Sequence, residues 1–146
     1  MRTYKGLIGD LKENEIAIIG VNEIGVNGNP VKGTGGAALW ALNKGYIEQG
    51  EILDNKLSQS GKVWGLTTVT YPGRKRSKTL SEIGNGVVKV YNYAENNPDK
   101  LFYVVYSAKG RNLNGYSSEE LAKVFSKNTP PANIIFEEEF AKLMEL

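Results

Sequence analysis

The chain has 146 residues with 18 basic and 16 acidic side chains, a net charge of +2, 40% hydrophobic and 23% charged residues, and neither cysteine nor histidine. That length suits one domain over residues 1–146, and the missing residue types exclude disulfides, thiolate or imidazole metal sites and a histidine general base. The small net charge argues against extended nucleic acid as a partner, and with no bilayer-spanning window and no leader pattern a cytoplasmic protein without a membrane partner is expected.

Glu15 to Val21 is a continuous apolar, β-branched run, the pattern of a strand covered on both faces, and Arg2 to Ile8 could add an edge strand. An unusually long loop rich in glycine and asparagine follows, Gly25 to Gly36, before a helix predicted over Thr34 to Tyr46 with Ala37, Ala38, Trp40, Ala41 and Leu42 on its packing side. Lys62 to Tyr71 reads as the next strand, closed by Pro72-Gly73, and the cations Arg74, Lys75, Arg76 and Lys78 come directly after it. Thr79-Leu80-Ser81-Glu82 is a capping box that opens a helix carrying Ile83, Val87, Val90, Tyr91 and Ala94, which Gly84 and Gly86 weaken and Asn96-Asn97-Pro98 ends. Leu101 to Ser107 is a strand, and Ala108 to Tyr116 a second loop of glycine and asparagine. Ser117 to Glu120 is another capping box, Ala132 to Phe136 a short strand, and Glu137 to Leu146 a terminal helix. Alternating strands and helices predict an α/β domain, a three-layer sandwich around a mixed, mostly parallel sheet.

Ligands of open α/β sheets bind at the carboxyl ends of the strands, where helix amino termini present unpaired amides. The loops Gly25 to Gly36, Tyr71 to Lys78 and Gly110 to Gly115 each follow such an end. Glycine lets backbone amides approach an anion closely, so two glycine-rich loops with a cationic loop between them favour a phosphate-bearing ligand over purely structural turns. Neither a P-loop nor a dinucleotide fingerprint is present, which argues against kinase, GTPase and dehydrogenase functions.

V-N-E-x-G at Val21 to Gly25, G-T-G-G-A-A at Gly33 to Ala38, L-S-Q-S-G-K-V-W-G-L-T-T at Leu57 to Thr68 and G-R-N-L-N-G-Y-S-S-E-E-L-A at Gly110 to Ala122 resemble small macro-domain-like proteins of phages and bacteria. The resemblance runs from about Ile16 to Met144. It implies an α/β/α module that binds ADP-ribose and related nucleotides, with an asparagine on the distal ribose and glycine loops on the phosphates. Asn22, the loop Gly33, Thr34, Gly35 and Gly36, and Ser107 with Gly110, Gly115 and Tyr116 stand at the corresponding positions, and Asn29 to Lys32 is an insertion that could form a lid. A phage origin would place the protein in the host cytoplasm.

Other ligand contacts expected on residue type are Gly25, Asn27, Tyr71, Arg74, Lys75, Arg111, Asn112 and Asn114. Asn22 could orient a ribose or merely cap its turn; Tyr71 and Tyr116 could stack on a base or close a strand end. The weak catalytic candidates are Asn22 and Glu23, while Trp40 and Trp64 are assigned to packing. No cofactor or metal is expected. Three functions follow: a binding module for ADP-ribose or another phosphate-bearing or cyclic nucleotide derivative, able to sequester a nucleotide signal; an ADP-ribosyl hydrolase; or a protein-interaction module whose basic loop docks an acidic partner.

Overall fold

The computed structural model describes residues 2–27, 36–108 and 112–145. Six strands form one sheet in the order β1-β6-β5-β2-β4-β3: β1 (Thr3–Tyr4), β2 (Glu15–Asn22), β3 (Lys56–Leu57), β4 (Val63–Val69), β5 (Leu101–Val104) and β6 (Ile134–Glu137). Every pairing is parallel except the antiparallel β3–β4 ribbon at one edge. The helices are α1 (Ala37–Asn43), α2 (Leu80–Glu95), α3 (Ser118–Ser126) and α4 (Glu138–Met144). None of the described helices is long and apolar enough to cross a membrane.

Strand alternation divides the core. Ile16 and Ile18 of β2 point into the larger cluster, with Trp64, Leu66, Phe102 and Phe136 of neighbouring strands and the apolar faces of α2, α3 and α4. Ala17, Ile19 and Val21 point the other way, where Ala38 and Ala41 of α1 pack with Leu11, Ile47 and Leu53. The fully buried residues of α1 are the alanines Ala38 and Ala41, with Ala37, Trp40 and Leu42 packed at the edge of the same cluster. The sheet is therefore covered on both faces, as the apolar run in β2 predicted.

Both predicted capping boxes form: Thr79 with Glu82 opens α2, and Ser117 with Glu120 opens α3. Helix α1 is shorter than predicted, because Gly45 at φ 76° closes it with bonds from Gly45 N–H to the Leu42 carbonyl and from Tyr46 N–H to the Ala41 carbonyl. Strand β4 stops at Val69 rather than Tyr71: after a register shift between Val21 and Asn22, Val69 pairs with Asn22, the last residue of β2. Strand β5 stops at Val104 rather than Ser107; beyond it Tyr106 joins an aromatic cluster with Phe125 and Phe140. The terminal helix starts one residue later than expected because Glu137 is its cap, accepting from the Glu139 and Phe140 amides. Strand β3 was not foreseen, being two residues long and set by the tight Ser58–Gly61 turn, where the Ser58 amide reaches the Val63 carbonyl.

Candidate functional site

A cleft of about 530 Å³ opens at the carboxyl edge of the sheet. The ends of β2 (Gly20, Val21, Asn22), β4 (Thr68, Val69) and the segment after β5 (Val105, Tyr106, Ser107) form its floor. One wall comes from Gly36, Ala37, Ala38 and Trp40 at the start of α1, another from Tyr4, Leu7 and Ile8 of the amino-terminal segment, and a third from Asn112, Leu113 and Asn114. Three crossover connections diverge at this edge, so the cavity follows from the parallel topology itself.

Asn22 is only 2% exposed, and its side chain organises the turn that follows β2. Its Oδ1 accepts from the Ile24 and Val26 amides, and its Nδ2 donates to the Val26 carbonyl at 2.8 Å. Asn27 closes the same turn from the other side, its Oδ1 accepting from the Asn22 amide at 3.0 Å. That leaves the buried Asn27 Nδ2 without a hydrogen-bond partner. Gly25 lies in this turn at φ 78°, where a Cβ would come within 2.7 Å of the Gly50 carbonyl oxygen, and it does not line the cleft.

The second loop is built by its own amides. Asn114 Oδ1 accepts from the Tyr116 amide at 2.9 Å, and Asn112 Nδ2 donates to the Tyr116 carbonyl at 2.8 Å. Tyr116 is buried, donates its hydroxyl to the Lys78 carbonyl, and carries the Arg76 guanidinium 4.7 Å above its ring. Tyr116 thus holds the loop to the segment before α2. Arg76 completes the clasp by donating to the Gly115 carbonyl at 3.2 Å and to Glu120 at 3.1 Å.

The cationic loop therefore divides in two. Arg76 and Lys78 are committed to protein contacts, Lys78 through an ion pair with Glu23 that raises its pKa against the opposing effect of desolvation. Arg74, Lys75 and Tyr71 are exposed, and with Glu23, Gly115 and Tyr116 they lie outside the cleft lining. Glu23 is thus held at the mouth of α2 by Lys78, away from the cleft floor. Of the expected ligand contacts, Asn22, Asn27, Gly36, Ser107, Asn112 and Asn114 are brought together. Gly33, Thr34, Gly35, Gly110, Arg111 and the Asn29 to Lys32 insertion lie outside the described residues.

Sequence reasoning missed much of the wall. Leu7 is almost fully exposed and Leu113 is half exposed, both on the cleft, and Trp40 both packs against Tyr46 and lines it. Tyr4 donates to the Val104 carbonyl at 2.8 Å, and burial with the nearby Glu137 charge raises its pKa. Glu137 is the one charged side chain among the described lining residues. No local motif marks these positions; only the pairing of β1 with β6 carries the amino-terminal segment to the cleft. Among the described residues no cluster of acidic side chains is arranged to hold a metal ion.

No protein-family model matches the chain, and neither a curated protein nor a solved structure matches it.

Proposed function

We propose that the protein is a macro-domain-like binding module for ADP-ribose or a related phosphate-bearing nucleotide derivative. The observation that carries this reading is the cleft at the carboxyl edge of β2, β4 and β5, about 530 Å³ in volume, within the range of small-molecule sites. Its walls suit a ligand with flat apolar and polar parts: Trp40, Val69, Val105 and Leu113 offer apolar contact, and Asn22, Asn27, Asn112 and Asn114 bring amides to the same space. Gly36, on the cleft wall, is the cap residue of α1 at φ 67°, with no side-chain cap.

Binding is favoured over hydrolysis by one observation. The only charged side chain in the described lining, Glu137, already accepts from the Glu139 and Phe140 amides, and among the described residues no acid-base pair lines the cleft. Isothermal titration with ADP-ribose, cyclic dinucleotides and adenosine diphosphate tests the reading. Saturable one-to-one binding to at least one of them is expected, without turnover of the bound ligand. Flat isotherms across the panel would overturn it, and release of free ADP-ribose from a modified protein substrate would replace it with the hydrolase reading.

A further inference from the structure

Among the described residues, Leu7 is the large apolar side chain most open to solvent, 98% exposed, and it stands on the cleft lining between Gly6 and Ile8. A lone leucine on a surface needs no explanation by itself; its setting does. The chain is fixed on either side of it. Before it, Thr3 and Tyr4 pair with Phe136 and Glu137 of β6, and the Tyr4 hydroxyl donates to the Val104 carbonyl at 2.8 Å. After it, the buried Leu11 donates its amide to the Tyr46 hydroxyl at 2.9 Å, and Asp10 pairs with Lys44. Between these anchors, no hydrogen bond to the described residues holds Gly6, Leu7, Ile8 or Gly9. Ile8 rests against the smaller core cluster, so the motion left to the segment is a swing of Leu7 about that contact. Gly6 takes φ 74°, but Gly9 has neither a left-handed φ nor any group within 4 Å of an added Cβ. What glycine supplies at position 9 is backbone freedom.

We propose that residues 6–9 are a strap that swings about its two glycines and lays Leu7 on a ligand seated in the cleft. The strap rests on the nucleotide-binding reading and adds how the cleft is closed once it is filled. Swinging over an empty cleft would take the leucine out of water only to face a void, whose lining has no partner atoms on one side. Over a filled cleft the same swing removes the leucine and the ligand face from water together. Closure is therefore tied to the ligand, which binds the shut form more tightly than the open one.

The chain has no cysteine, so Leu7→Cys carries a single thiol whose rate of reaction with N-ethylmaleimide reports how exposed the strap is. Ile52→Cys is the control, at a half-exposed position outside the cleft lining. With each variant saturated by ADP-ribose, as checked by titration calorimetry, labelling at position 7 is expected to slow about tenfold and labelling at position 52 to stay the same. A double-mutant cycle separates a swinging strap from a ligand that merely reaches a static leucine. Gly9→Val stiffens the backbone at a site outside the lining where an added Cβ meets nothing. It is expected to weaken ADP-ribose binding about fivefold in the wild-type background and to have no effect in a Leu7→Ala background, because the glycine acts only through the leucine.

An unchanged thiol rate at position 7 while ADP-ribose binds would overturn the strap and leave the nucleotide reading standing. So would a slowed thiol with a Gly9→Val variant that binds like the wild type, or one that loses as much affinity with Leu7→Ala as without it. A wild-type protein that binds no ADP-ribose would overturn the nucleotide reading, and the strap with it.

Discussion

Gly84 and Gly86 show how differently one residue type can act within a single helix turn. Both are poor helix formers and both weaken the sequence signal of α2. At Gly84 an added Cβ would make an ordinary 3.7 Å contact with Val124, so Gly84→Ala should stabilise the protein by about 0.5–1 kcal/mol through the backbone entropy of the unfolded chain. At Gly86 the same atom would lie 2.6 Å from Asn55 Oδ1 and 3.0 Å from Leu66 Cδ1. Asn55 cannot easily give way, because that oxygen accepts from the Thr67 amide and its own backbone sits at φ 51°. Gly86→Ala should therefore cost about 1–3 kcal/mol. Urea unfolding of the two variants checks the contrast, and equal shifts would refute it. The asparagines carry a similar lesson: on residue type Asn22 and Asn27 were both expected to contact a ligand, but their division into a loop organiser and a donor with no partner depends on turn geometry.

At the scale of elements, the capping boxes were legible because they act over three residues and need no tertiary partner. They also make stability depend on pH. Glu82 is held below its ordinary value of 4.5 first by its bond to the Thr79 amide, and Glu120 first by its bond to the Ser117 amide. A carboxylate with a lowered pKa in the folded state contributes stability that is full above the unfolded value and is lost as pH falls through the folded one. The urea midpoint should accordingly fall as pH drops from about 5 toward 3, and a double Glu82→Gln, Glu120→Gln variant should fall less steeply. Parallel slopes for the two proteins would count against this origin. Strand ends were the least legible elements. The end of β4 coincides with the end of its partner β2 at Asn22, and beyond the end of β5 Tyr106 joins an aromatic cluster with Phe125 and Phe140; neither is a local property.

For the molecule as a whole, the relation between charge and cleft separates two ways of holding an anion. Arg74 and Lys75 are exposed and outside the lining, while the cleft offers amides and apolar walls. If backbone and side-chain amides hold the phosphates, reversing both cations with Arg74→Glu and Lys75→Glu should weaken ADP-ribose binding less than threefold at about 0.15 M salt, where exposed charges beyond about 8 Å are largely screened. A loss of tenfold or more by calorimetry would assign the phosphates to that loop. The reversal lowers the formal net charge from +2 to −2, so the measurement belongs at fixed ionic strength.

What the sequence determined by itself was local or periodic: the apolar run of β2, the capping boxes and the alternation that makes the chain an α/β fold with a mixed, mostly parallel sheet. Each depends on a few adjacent residues whose hydrogen bonds or periodicity are the same wherever they occur. Only the tertiary structure decided which side chains form the cleft. Tyr4, Leu7, Trp40, Tyr106 and Leu113 come from distant stretches and share no motif. Parallel pairing of β1 with β6, and of β2 with β4 and β5, brings them to one edge, and that pairing depends on contacts between residues far apart in the chain.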